Sequence, residues 1–135
     1  MIQKIAISSH IPGLHEITDE VSTAVQEAGV LEGLCTLFLR HTSASLVIQE
    51  NADPSARRDL EAWLDRLVPE RDPIFTHTAE GPDDMPAHIK TALTASSLSI
   101  PIADGKLVLG TWQGIYLWEH RSPSRSRQLV IHILP

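Results

Sequence analysis

The segment HTAEGPDDMPAH, residues 77–88, holds His77 and His88 at its ends and Glu80, Asp83 and Asp84 between them. Imidazoles and carboxylates together suit zinc or another first-row divalent metal, and they equally suit acid–base work near neutral pH. Gly81, Pro82 and Pro86 stiffen the segment so that the two histidines can converge. The ten residues between the histidines match no diagnostic metal spacing, and Glu80–Gly81–Pro82–Asp83 also reads as a plain acidic turn.

A second cluster lies in RHTSASLVIQENAD. His41 ends an apolar run, Thr42, Ser43 and Ser45 follow as hydroxyls, and Glu50 and Asn51 end the next run beside a helix start. These residues can line a cleft, or serve as turn formers and a cap. No G-x-S-x-G and no triad order is present, so a serine nucleophile is not expected. The third cluster is GTWQGIYLWEHR. Gly110 and Gly114 bracket a turn that offers Trp112 and Gln113 to a planar ligand, or packs the indole at a sheet corner. Glu119, His120 and Arg121 follow one another. Strand alternation sets Glu119 and Arg121 on one face and His120 on the other, with Tyr116 and Trp118. The stretch HRSPSRSRQ, with Arg121, Arg125 and Arg127, reads as a solvated loop or as an anion site.

All three clusters fall at the polar ends of apolar segments, where an antiparallel scaffold builds a site. Ile5 and Ile7 alternate as a first strand, and HIPGLHEIT reads as a loop. Ile17, Val21, Ala24, Val25 and Ala28 form a helical stripe capped by Thr18 and stopped at Gly29. LCTLFLRH and SLVIQE are two strands. Asp53 caps a helix that starts at Pro54, exposes Arg57, Arg58, Glu61 and Asp65, and packs through Ala56, Leu60, Trp63, Leu64 and Leu67 as far as Pro69. Asp84 caps a short third helix beginning at Pro86. SLSIPI and KLVLGT follow, joined by a tight turn at Asp104–Gly105, then IYLWEH and RQLVIHI. The expected fold is one α+β domain over residues 1–135, a mostly antiparallel β-sandwich with two main helices and one short helix.

A chain of 135 residues can bury a core without staples. Its net charge of −6 argues against nucleic-acid or membrane-surface partners. No apolar run reaches the roughly 18 residues a membrane span needs, and the opening MIQKIAISSHIPG alternates, so neither a span nor a secretory leader is expected. The single cysteine, Cys35, is expected in the core, and the location is expected to be cytoplasmic.

HTSASLVIQENADPS, EGPDDMPAHIK and LGTWQGIYLWEHR together resemble the YjbQ-like family over nearly the whole chain. The resemblance implies an α+β sandwich assembling as a homotrimer. It also implies a weak, secondary thiamine-phosphate synthase activity that joins a hydroxymethylpyrimidine diphosphate to a thiazole phosphate. The positions it implies are His41, Glu50, Asn51, His77, Asp83, Asp84, His88, Glu119, His120 and Arg121. If a divalent metal (zinc, manganese or magnesium) binds, His77 and His88 are its expected ligands on residue type alone, with His41 as third ligand and His120 as its substitute, and no organic cofactor is expected. Thr42, Ser43, Trp112, Gln113 and Arg121 would bind a small phosphorylated substrate, with Arg121 and Arg40 available as cations for the diphosphate. A metal-dependent hydrolase or lyase with Glu50 or Glu119 as base, and a non-enzymatic trimeric binding module, are the alternatives.

Overall fold

A computed structural model describes residues 1–9, 11–122 and 125–135, with the side chain of Arg125 outside the description. The elements are β1 (Ile2–Ser9), β2 (Gly13–Glu16), α1 (Thr18–Ala28), β3 (Gly33–Leu39), β4 (Ala44–Glu50), α2 (Pro54–Leu67), α3 (Asp84–Leu93), β5 (Ser97–Ala103), β6 (Lys106–Leu107), β7 (Gln113–Glu119) and β8 (Arg125–Leu134). Two sheets result, ordered β1-β8-β3-β5-β6 and β2-β7-β4. Each of their strand pairs is antiparallel. The α+β expectation holds, with three helices on antiparallel sheets.

Period-two alternation decides what each sheet buries. Leu37, Leu39, Leu129, Ile131 and Ile133 of the larger sheet meet Leu46, Ile115 and Leu117 of the smaller one, and Val21, Ala24 and Val25 of α1 join them. Cys35 lies in this core, and burial raises its thiol to about 11. The alternate residues of β7, Tyr116 and Trp118, point to the opposite face. There Leu64 and Val68, at the end of α2, and Ile89 of α3 cover them. Among the described residues no helix covers the outer face of the larger sheet, and Leu34, Phe38 and Leu134 stand exposed on it.

Several sequence expectations need correction. HIPGLHEIT contains the short strand β2, which pairs with β7 from Gly13↔Glu119 to Glu16↔Tyr116. KLVLGT contributes only Lys106–Leu107. Val108 donates its N–H to the Pro101 carbonyl, but Pro101 has no N–H to return, so the ladder stops there. The turn before it is as expected, with φ of 52° at Asp104 and 74° at Gly105. Thr18 is the first residue of α1 rather than its cap: its hydroxyl donates to Glu16 and accepts the Ile115 N–H. Gly29 ends α1 in the left-handed conformation, and Asp53 caps α2 by accepting the Ser55 N–H. α2 touches the sheet along a narrow stripe (Leu60, Leu64 and Val68), which leaves Trp63 and Leu67 exposed.

Candidate metal centre

α3 begins one residue into the Asp83–Asp84 pair. Asp83 occupies the cap position without a capping side-chain bond, and Asp84 is the first helical residue. Asp84 therefore does not cap, contrary to expectation. It lies one turn before His88, on the same face. Its carboxylate is buried, and Oδ2 is 2.6 Å from His77 Nε2 and 3.3 Å from His88 Nε2. The two imidazoles stand edge to face, 5.2 Å between centroids. One donor atom from each of His77, Asp84 and His88 lies within 4.8 Å of the others.

This donor set fits a divalent metal. Ligand bonds of about 2.1 Å in tetrahedral geometry place donors about 3.4 Å apart, so the His88–Asp84 spacing already matches and the His77–Asp84 contact need only open by under an ångström. Burial would raise the Asp84 carboxyl. The His77 hydrogen bond and the Arg121, His88 and His77 charges outweigh it and hold the group below its ordinary value, in the anionic form a ligand needs. Two imidazoles and one carboxylate leave coordination positions open. Both histidines are partly exposed, and His77 lines a groove of about 430 Å³.

Behind the ligands stands Arg121. Its Nη1 donates to Asp84 Oδ1 at 2.8 Å, Nε to Asp83 Oδ1 at 3.2 Å, and Nη2 to the Glu80 carbonyl at 2.8 Å. Fixing Oδ1 turns Oδ2 toward the histidines. Gly81, with φ of 108°, makes the bend that wraps the loop around the guanidinium. With these bonds made, the Arg121 guanidinium expected from sequence to bind diphosphate is already engaged by Asp83, Asp84 and the Glu80 carbonyl. Arg40 is likewise bonded, to Gln128.

The profile of the UPF0047 protein YjbQ-like family matches residues 3–135. The chain belongs to this family. A UPF0047 protein of Synechocystis is 50% identical over 96% of this chain and 88% of its own length. The YjbQ protein of Escherichia coli O157:H7 is 41% identical over 93% of this chain and 91% of its own length. An uncharacterized YjbQ/UPF0047 protein from Clostridium acetobutylicum superposes with a TM-score of 0.89 at 39% identity, covering 98% and 99% of the two chains.

The other positions expected of a YjbQ-like site divide between the two ends of the smaller sheet. At the triad end, Glu119 is buried between the sheets. It accepts from Arg127, from the Ser9 hydroxyl at 2.7 Å and from the Arg121 N–H at 3.1 Å. Burial would raise its carboxyl, but these bonds hold it below the usual value. So enclosed, it is a structural anion rather than a base. Arg127 also donates to the Ser43 hydroxyl at 2.9 Å. Arg121 and Arg127 are both buried, so neither belongs to a solvated loop, and Arg125's side chain lies outside the described residues.

His41 does not join the triad. Its Nε2 accepts the Gln128 N–H at 2.8 Å, Nδ1 faces Arg127, and burial with the Arg127 charge lowers its pKa. Thr42 and Ser43 line a separate open groove with His41. His120 is also outside the triad. It packs 5.7 Å from Trp118 between ring centroids, as alternation required, and its Nε2 is 2.9 Å from the Ser45 hydroxyl.

At the far end, Glu50 is paired with Gln113 while Ala44 is paired with Glu119. Seven strand residues span about 20 Å, so Glu50, Asn51, Trp112 and Gln113 sit about that far from the triad within one chain. Gln113 accepts the Gly110 N–H, Asn51 donates to Glu16, and the Glu50 carbonyl accepts from Tyr116. Trp112 is exposed on the turn before β7. Sequence proximity had joined these two ends into one cluster.

Burial, then the charge of Lys90, lowers the His120 pKa to about 3. An unfolded chain takes up this proton below 6.5, whereas the native state resists until about 3. Acid therefore favours unfolding through that window, by about 1.4 kcal/mol per pH unit. Urea unfolding at pH 7 and pH 4.5 is expected to show a His120→Gln variant losing about 2–3 kcal/mol less than the parent on acidification. Equal losses would mean that His120 titrates normally.

Proposed function

We propose that this YjbQ-like chain is a divalent-metal enzyme acting on a small phosphorylated substrate, with formation of thiamine phosphate as the candidate reaction. The observation that carries the reading is the His77–Asp84–His88 donor set, partly open to solvent and held by Arg121. The sequence resemblance supplies the reaction class. In that reaction the bond between the pyrimidine methylene carbon and the diphosphate oxygen breaks, and the thiazole nitrogen bonds to the same carbon. Pyrophosphate leaves with the electron pair, so the step is redox-neutral. A bound divalent cation supplies charge stabilisation for the leaving diphosphate. The loop 77–84 orients the ligands, and Arg121 holds Asp84 in place.

Two observations favour this over metal-assisted hydrolysis. Glu119 is enclosed by Arg127, and Glu50 lies at the other end of the sheet, so neither carboxylate named as a base adjoins the triad. Departure of a diphosphate needs an electrophile more than a base. The uncovered face bearing Leu34, Phe38 and Leu134 supports the homotrimer implied by the resemblance. A purely monomeric mass in sedimentation equilibrium would remove that part.

The test is product formation from the two half-substrates, with and without a strong chelator. Product that disappears with chelator and returns with zinc, manganese or magnesium supports the reading. With no product under any metal, the synthase reading is lost.

A further inference from the structure

We propose that Arg71 and Phe75 form the substrate-binding half of this site, the guanidinium taking the phosphate and the phenyl ring the flat face of a phosphorylated ring compound. The inference rests on the metal reading for its setting, but its own evidence is the groove beside His77. Arg71, Phe75, His77, Thr78 and Met85 are among the residues that line it, and Arg71 is the one cation among the described lining residues.

Arg71 differs from the other arginines around the site. Arg121 and Arg127 are buried in ion pairs, whereas the Arg71 side chain is 75% exposed and, among the described residues, has a 3.6 Å contact with exposed Glu70 alone. Such a surface pair contributes little and yields readily to a doubly charged anion. Its backbone is held at φ 61°. Both described non-glycine residues with positive φ lie in tight turns: Asp104 in its hairpin, and Arg71 in a turn with Glu70 after α2. Left-handed backbone at a bulky residue is uncommon and persists where its surroundings impose it. Asp72 accepts the Ile74 N–H through its carboxylate and the Phe75 N–H through its carbonyl, each at 3.0 Å. This turn brings Arg71 and Phe75 to one groove.

Phe75 is half-buried there, with Pro82 and Met85 completing an apolar wall. Phenyl and thioether surfaces take a planar ring by stacking and sulfur contact. Trp112, expected from sequence to do this, sits at the far end of the sheet. The groove thus sets a cation and a ring platform beside His77, one of the three residues of the proposed metal site, which matches a ring carrying a phosphate or diphosphate.

The experiment is calorimetric titration of phenyl phosphate and methyl phosphate into the zinc-loaded and the metal-free protein. Arg71→Gln is expected to weaken both ligands at least about tenfold, the loss of a charge-assisted hydrogen bond, with zinc affinity unchanged. Phe75→Ala is expected to weaken phenyl phosphate and leave methyl phosphate as it was. Parental affinity in Arg71→Gln overturns the proposal, as does absence of phenyl phosphate binding in the parent with and without zinc. If the parent binds no zinc but Arg71→Gln still loses phenyl phosphate, the metal reading fails and the groove assignment stands.

Discussion

His88→Ala is expected to lower zinc affinity more than 100-fold while leaving the fold intact. Substituting hydrogen-bond partners behind metal ligands costs roughly 10–100-fold, and removing a ligand itself costs more. His88 is partly exposed on α3, and its described polar contact is with Asp84 at 3.3 Å. Alanine also favours helix at that position. Asp84 keeps Arg121, so no buried charge is stranded. Zinc titration by competition with a chromophoric chelator, beside thermal unfolding of the metal-free proteins, reads the two effects separately. Unchanged affinity would show that His77, Asp84 and His88 are a hydrogen-bonded cluster and not a metal centre. A large fall in melting temperature would show that His88 is architecture.

Glu119→Ala carries the largest expected loss of stability, about 3–5 kcal/mol, because it leaves Arg127 charged and unpaired in the core. It also removes an acceptor that the Ser9 hydroxyl and the Arg121 N–H now use. Urea unfolding at pH 7 measures this. The pH dependence has a definite sign. The native carboxyl titrates below its unfolded value of 4.5, so the unfolded chain takes up the proton first. The stabilisation is complete above 4.5 and fades as pH falls through the lower native value. The gap between parent and variant is therefore expected to hold from pH 7 to about 5 and to narrow in stronger acid. A gap below 1 kcal/mol at pH 7 would mean the pair barely exceeds its desolvation cost.

Legibility in the sequence followed the range of the interactions. The Asp53–Pro54 start of α2 and the Gly29 stop of α1 are local and could be read directly. β2 could not: four residues carry little periodicity, and the partner that makes them a strand is about a hundred positions away on β7. The residue types single out His77 and His88, whereas Asp84 reads locally as a helix cap and enters the site only through the family resemblance. A helix starting one residue earlier makes Asp84 and His88 an i, i+4 pair. Arg127 was readable in principle, since it shares the parity of Leu129, Ile131 and Ile133, which face the core. Its charge argued for solvent, and only the cross-strand carboxylate of Glu119 reverses that. Assigning Glu50 and Trp112 to one end of a sheet and Glu119 to the other needs the strand register. Arg71 and Phe75 carry no motif, and a turn alone brings them to His77.

The order of the larger sheet sets a schedule for its assembly. β8 lies between β1 and β3 and pairs with both, Ile2 against His132 and Leu34 against Leu134. During synthesis, β1 and β3 emerge long before the strand that joins them. Until then β1 lacks its described strand partner, and β3 can pair along one edge only, with β5. Closing loops of about a hundred residues is slow, and open edges of this kind invite pairing between chains. The larger sheet is therefore completed only after β8 has been synthesised, and a chain stopped before residue 125 is expected to leave β1 and one edge of β3 open to pairing with other chains.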